Sequence, residues 1–341
     1  MKATALLAFL FVLAANAANY SARQATVDTV DVVVLSDAAR KTEVTILPSI
    51  GNMGYEMKVN GKNVLYVPEG GLAKFKARPA LSGIPFLAPW ANRLDQQAFY
   101  ANGKKYAFNM GLGNVRGNIP MHGFLSTSAT WKVVAFKADS KSAWVTSRLE
   151  FWKYPDMLAQ FPFAHTIEMT YRLREGVLQV ETVLRNQSAE PMPVAIGFHP
   201  YFRLADSKRD QWKVHVPVRD HWVVDGRKIP TGQIEPAGLS DPLVLEGHAF
   251  DDYYNNLIRG ADGRAEFWVQ GEKEKLSVVF GPKYTVCVFY APAGREYLCF
   301  EPMATMTNGM NMAQAGTYKD LQSIPPGGEW RESFWVRPSG F

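Results

Sequence analysis

Cysteine is scarce in this chain: Cys287 and Cys299 are the only two among 341 residues. Without a CxxC spacing they offer neither a thiolate metal centre nor a dithiol redox motif. Histidine is nearly as sparse, at positions 122, 165, 199, 215, 221 and 248, with no close metal-ligand pair among them. No metal site is expected. The P-loop, the dinucleotide fingerprint, HExxH and GxSxG are all missing, which removes the common nucleotide, zinc-protease and serine-hydrolase signatures. The net charge of +5 comes with no basic block, so nucleic acid is not an expected partner. Long amphipathic helical patterns, Pro/Gly/Ser linkers and short internal repeats are also lacking. Beyond the N-terminus no apolar run is long enough to span a bilayer.

What is present is strand. Hydrophobic residues make up 47% of the chain and aromatics 13%, ample material for a large core. DTVDVVVLSD, KTEVTILPSI, EMKVNGKNVLYV, SAWVTSRLEFW, HTIEMTYRL, VLQVETVLRN, WKVHVPV, AEFWVQ and KLSVVFG are short runs rich in β-branched and aromatic residues. Turn dipeptides punctuate them: Asn60-Gly61, Asn102-Gly103, Glu175-Gly176, Asp225-Gly226 and Asp262-Gly263. Alternation, as in HTIEMTYRL, suits a sheet with one buried face. The expected fold is all-β, one large antiparallel β-sandwich over residues 18–341. Two smaller β domains meeting near residues 205–250 are the alternative. Residues 1–17 read as an export signal. Lys2 precedes an apolar run from Ala3 to Ala15, and Ala15-Asn16-Ala17 is a small-x-small cleavage site that leaves Ala18 first. The mature protein is then expected to be periplasmic or secreted, with no membrane attachment; an uncleaved anchor is the alternative.

The two cysteines lie in the strand-like runs YTVCVFY and EYLCFE. A hairpin centred near Ala293 would set them opposite each other, at the Cα separation of about 4.5 or 5.5 Å that a disulfide spans. Two buried free thiols are the preferred alternative.

Chemistry gathers in a few segments. His199 stands in AIGFHPYFRL, where Pro200 favours extended backbone and Tyr201 and Phe202 are placed to wall a pocket. An imidazole there is either a proton carrier or a satisfied core residue. Glu301, between Phe300 and Pro302 at the end of an apolar strand, is either a carboxylate tuned by a dry site or a solvated strand end. His122-Gly123 reads as a turn with a donor side chain, and Arg93 as a hydroxyl clamp or a surface ion pair. Asp251 and Asp252 read as turn caps before Tyr253-Tyr254. GIPFLAPWANRLDQQAF (83–99) and the Gly/Asn-rich stretch 111–124 are loop-like, and loops on a rigid sheet often carry function.

These segments, in this order, resemble the aldose 1-epimerases, or galactose mutarotases. The resemblance runs over roughly residues 45–337 through GIPFLAPWANRL, MHGF, FPFAHTIEMTYRL, LRNQSAEPMPVAIGFHPYFRL, AFDDYY and CFEPMATMTNGMN. His-Pro-Tyr-Phe and Phe-Glu-Pro are its most specific pieces. It implies a β "supersandwich" and a monosaccharide substrate, an aldohexose whose α and β anomers interconvert. Glu301 would be the general base toward the anomeric hydroxyl, and His199 the general acid toward the ring oxygen. Arg93 and His122 would hold sugar oxygens with Asn92 as their neighbour, and Asp251 would bind hydroxyls, with Asp252 as a rival. No cofactor is implied, because proton transfer does the work. Trp90 departs from the smaller or different aromatic residue of many members. A sugar-binding protein with the chemistry lost, a non-catalytic envelope domain and a hexose 6-phosphate epimerase are the competing readings.

Overall fold

The alternating strand His165–Arg174 shows how sequence becomes sheet here. Its odd positions are buried and most of its even ones half-exposed. Glu175 and Gly176, with φ of 52° and 74°, turn it back on Val177–Asn186, pairing Arg174 with Val177. Both turn residues take the left-handed region that a two-residue hairpin matching strand twist requires. Asn60-Gly61 and Asn102-Gly103 make the same turn. Asp225-Gly226 lies instead in a longer loop between Val224 and Pro230, and Asp262-Gly263 in the connection from Leu257 to Ala265.

The computed structural model describes residues 19–111 and 115–341. The expected export signal, residues 1–17, lies outside them. About 50% of the chain is strand and 8% helix, with large antiparallel sheets. One sheet has nine strands, in the order Lys132–Ala138, Ala143–Glu150, His165–Arg174, Val177–Asn186, Glu329–Ser339, Lys275–Phe280, Ala265–Gln270, Lys213–His215 and Leu243–Val244. A second has seven: Pro230–Pro236, Val218–Val224, Phe250–Leu257, Val286–Ala291, Cys299–Met303, Gly197–Phe198 and Phe86–Leu87. A five-stranded sheet covers Tyr20–Val27 to Lys62–Asn63. Aromatic side chains join the two large layers. Phe198 lies 4.9 Å from Phe334 and Phe300 lies 5.6 Å from Phe267, ring to ring. The irregular stretch 205–250 supplies strands to both large sheets.

The cysteine hairpin forms, but in another register. Tyr290 faces Cys299, and Cys287 faces Pro302. Side chains alternate across a strand, so the pairing puts Cys287 and Cys299 on opposite faces of the sheet. Both are buried free thiols, and the disulfide is ruled out by register. The Asp251–Asp252 pair also differs from expectation: it lies inside the strand Phe250–Leu257 and caps no turn.

His165 opens its strand fully enclosed, stacked on Phe151 at 4.2 Å, with Nδ1 2.6 Å from the Phe163 carbonyl oxygen. Burial lowers its pKa from 6.5 to about 4, against the opposing pull of that carbonyl. The unfolded chain therefore takes up a proton below pH about 6.5 that the folded chain refuses until about 4, and stability falls as pH drops through that window. The contribution is about 3 kcal/mol at most. Denaturant titrations of the protein and of His165→Gln across the window should show a shallower pH dependence in the variant. Parallel curves would mean that His165 is not buried in its neutral form.

Candidate active site

The strand Cys299–Met303 sorts its side chains by period two. Phe300 joins Phe289 and Phe198 in the main core. Glu301 points to the opposite face, where register aligns it with Val288 and Tyr253 across neighbouring strands. Asp251, two residues before Tyr253, shares that face, and His199 follows the short strand Gly197–Phe198 that pairs with Met303. Gly197 packs tightly there: a Cβ would displace Met303 Sδ and meet Ala91 Cβ at 3.0 Å and the Pro302 carbonyl oxygen at 3.1 Å.

The loop after Phe86–Leu87 brings Asn92 and Arg93 onto the same face. Asn92 and His122 both have left-handed backbone, with φ of 58° and 61°, and they bind each other twice. The Asn92 N–H donates to His122 Nδ1 at 3.1 Å, and the His122 N–H donates to the Asn92 carbonyl at 2.9 Å. Nδ1 is thus an acceptor, which leaves the ring proton on Nε2. Arg93 Nη1 donates to Tyr253 Oη at 2.8 Å and to Asn92 Oδ1 at 3.0 Å, and Nη2 lies 3.7 Å from Asp251 Oδ2. Asn308, also left-handed, ties the loop down. Its N–H donates to the Arg93 carbonyl, and its Oδ1 accepts from the Asp95 N–H.

His199 Nε2 lies 3.3 Å from Glu301 Oε1. The two residues are 7% and 1% exposed, so both titrate in a nearly dry setting. Burial, with a smaller push from Arg93, lowers the His199 pKa to about 3. Burial also holds the Glu301 carboxyl well above the usual range; Asp251 adds to the rise and Arg93 opposes it. The favoured form is one proton shared by the pair, with no net charge. His199 Nδ1 and Glu301 Oε2 have no hydrogen-bond partner among the described residues. The His122 ring sits edge-on to His199 at 5.7 Å, and burial, His199 and Arg93 together hold it neutral. Tyr201 stacks on His199 at 4.6 Å and 6°, while Phe202 faces the core.

All six expected residues, Asn92, Arg93, His122, His199, Asp251 and Glu301, converge on one sheet face. Asp252 does not join them: it points away, with its Oδ1 3.3 Å from His221 Nε2. Trp90 packs on Phe108 at 4.5 Å within the main core. Tyr253, Asn308 and Asn311 escaped the sequence reading. Tyr253 was detectable by its two-residue spacing from Asp251. The two asparagines bind groups distant in sequence, Asn311 the Ala98 carbonyl, the Tyr100 N–H and the Asp95 carboxylate.

Fold and site define a class: an antiparallel β-sandwich enzyme scaffold carrying a desolvated imidazole–carboxylate pair beside an arginine clamp. The aldose 1-epimerase family model matches residues 35–337, and the chain belongs to that family. It is 22% identical over 254 residues to YphB, an uncharacterized protein of Escherichia coli K12, covering 71% of this chain and 78% of that one. A galactose mutarotase-like protein from Clostridium acetobutylicum superposes with a TM-score of 0.84 at 21% identity, over 95% of this chain and 99% of that one. Galactose 1-epimerase from Lactobacillus acidophilus does so at 0.72 and 15% identity, over 94% and 100%.

Gly123 secures the His122 turn. Its φ is 58°, and a Cβ there would meet the Ala88 carbonyl oxygen at 2.1 Å. Gly123→Ala should lower unfolding stability by about 2 kcal/mol or more, from left-handed strain together with overpacking against backbone. A change under about 0.5 kcal/mol in denaturant titration would show that the loop yields freely.

Proposed function

We propose that the protein is a mutarotase that interconverts the α and β anomers of a free aldohexose. The observation that carries this reading is the 3.3 Å approach of His199 Nε2 to Glu301 Oε1, both residues buried. Ring opening needs one group to take the proton of the anomeric hydroxyl and another to give one to the ring oxygen. A pair holding a single proton supplies both. With that proton on His199, Glu301 is the base and His199 the acid. The C1–O5 bond breaks, the aldehyde forms, the C1–C2 bond rotates, and closure on the other face returns both protons. Arg93, the His122 Nε2–H and Asp251 would hold sugar oxygens. Asn92 and Tyr253 would fix Arg93, and neither proton transfer needs a cofactor. The activity named for the Lactobacillus acidophilus relative agrees with this reading. Mere sugar binding would not require a desolvated donor and base side by side. Export through residues 1–17 belongs to the same proposal and would place the reaction outside the cytoplasm.

Polarimetry or NMR of freshly dissolved α-D-glucose and α-D-galactose tests the reaction. Glu301→Gln and His199→Asn should each lower kcat about 10²–10⁴-fold with a smaller change in KM. Arg93→Ala should mainly raise KM, by roughly tenfold or more. No acceleration over buffer with any aldohexose would defeat the proposal, and full activity in a variant would refute that residue's role.

The shared proton also sets the pH profile. On the acid side kcat/KM should fall when the pair gains a second proton, which the depressed His199 basicity delays toward pH about 3. On the alkaline side it should fall when Glu301, with its raised pKa, loses the last one. An acid limb centred near the free-imidazole value of about 6.5 would instead indicate a solvated histidine.

A further inference from the structure

Neutral acceptors hold Arg93 more closely than its ion pair does. Both Nη1 hydrogens are taken, one by Tyr253 Oη at 2.8 Å and one by Asn92 Oδ1 at 3.0 Å. Nη2 lies 3.7 Å from Asp251 Oδ2, beyond hydrogen-bond reach. Tyr253 Oη donates to Asn92 Oδ1 at 3.4 Å, so its lone pairs stay turned to the guanidinium. The Tyr253 ring is fully buried in a second apolar cluster with Leu87, Val286, Val288 and Met303. Its place on the sheet is fixed as well: Tyr253, Val288 and Glu301 form one row across three adjacent strands. Two fixed charges act on Glu301, and they oppose each other. Asp251 favours its protonated form and Arg93 its ionised form. The other titratable groups around the pair are held neutral. Burial lowers the basicity of His122, and it raises the Tyr201 and Tyr290 hydroxyls and the Cys287 and Cys299 thiols.

We propose that Tyr253 is a positioning residue: its hydroxyl, with Asn92, holds the Arg93 guanidinium away from Glu301 and so keeps one proton on the His199–Glu301 pair. Its consequence for turnover rests on the epimerase reading; the charge arrangement stands without it. Among the described residues Arg93 pairs with Asp251 and not with Glu301, while Glu301 Oε2 has no hydrogen-bond partner. That oxygen is the acceptor a loosened guanidinium would find, and a carboxylate in so dry a setting would bind it closely. Glu301 would then be held ionised. Arg93 also disfavours ionised His199, so the pair would lose its proton to solvent and with it the acid for ring opening. Tyr253 acts through Arg93 and needs no contact with the sugar.

Tyr253→Phe tests this by removing one oxygen while keeping the buried ring. The alkaline limb of kcat/KM for anomer exchange should move down by about 1–3 pH units, the effect of a cation brought up to a carboxylate. The same substitution in an Arg93→Ala background should leave the limb where Arg93→Ala puts it, because the charge it would release is gone. A purely structural role for Tyr253 would cost activity equally in both backgrounds and move no limb. The Glu301 carboxyl can also be titrated by NMR with isotope-labelled glutamate, assigned with Glu301→Gln, a readout that needs no turnover. Its midpoint should fall in Tyr253→Phe by the same amount. In a protein that turns over sugars, an unmoved limb or equal losses in both backgrounds overturns the positioning role and spares the epimerase reading. A lowered midpoint in a protein that turns over no sugar does the reverse. An unmoved midpoint without turnover overturns both.

Discussion

One proton between two buried side chains is the constraint on which this site depends. An isolated charge as enclosed as Glu301 or His199 would cost several kcal/mol in lost solvation. Sharing a single proton keeps the pair neutral overall, whichever member holds it. The neighbouring charges preserve that balance. Arg93 favours ionised Glu301 and disfavours ionised His199, Asp251 disfavours ionised Glu301, and the two lie as a pair of their own. The site therefore combines dryness, which strengthens every electrostatic contact inside it, with no large stored charge.

The scaffold exists to hold that geometry. Glu301 cannot turn, because Phe300 is locked between Phe289 and Phe267 on the other side of its strand. His199 is held by its N–H on the Pro85 carbonyl and by the Tyr201 stack. The clamp side is different in kind. Asn92, Arg93 and His122 stand on loops, where left-handed Asn92 and His122 bind each other and left-handed Asn308 binds the backbone of Arg93 and Asp95. Strain of this sort persists only where surrounding contacts over-determine it. Strands place Glu301, Asp251 and Tyr253, and cross-linked loops place Asn92, Arg93 and His122.

The all-β sandwich, three two-residue hairpins and all six converging side chains were legible in the sequence, for physical reasons. Asn-Gly and Glu-Gly turns announce themselves because few residues accept positive φ, and His199 and Glu301 sit in motifs dense with aromatic and proline neighbours. What escaped was relational. The cysteine hairpin depended on how many residues its turn consumed, and an odd shift in pairing sent Cys287 and Cys299 to opposite faces. Asp251 and Asp252 were equivalent as text, yet alternation gave one to Arg93 and the other to His221. Asn308 and Asn311 grip backbone more than two hundred positions away, and no local pattern encodes such a contact.

The charge inventory of the site bears on which sugars suit the proposed reaction. Arg93 is already met by Asp251, Asn92 Oδ1 and Tyr253 Oη. Lys228, at the edge of the clamp, donates its ammonium to the Asp251 carbonyl at 3.2 Å. His122 is neutral because its Nδ1 accepts from Asn92 while burial and two basic neighbours resist a second proton. A phosphate entering here would have to break the Arg93–Asp251 pair or protonate a histidine that burial keeps neutral. A free hexose asks for neither. Its hydroxyls can receive from the His122 Nε2–H and from Arg93 and donate to Asp251, which favours a neutral sugar over a hexose 6-phosphate.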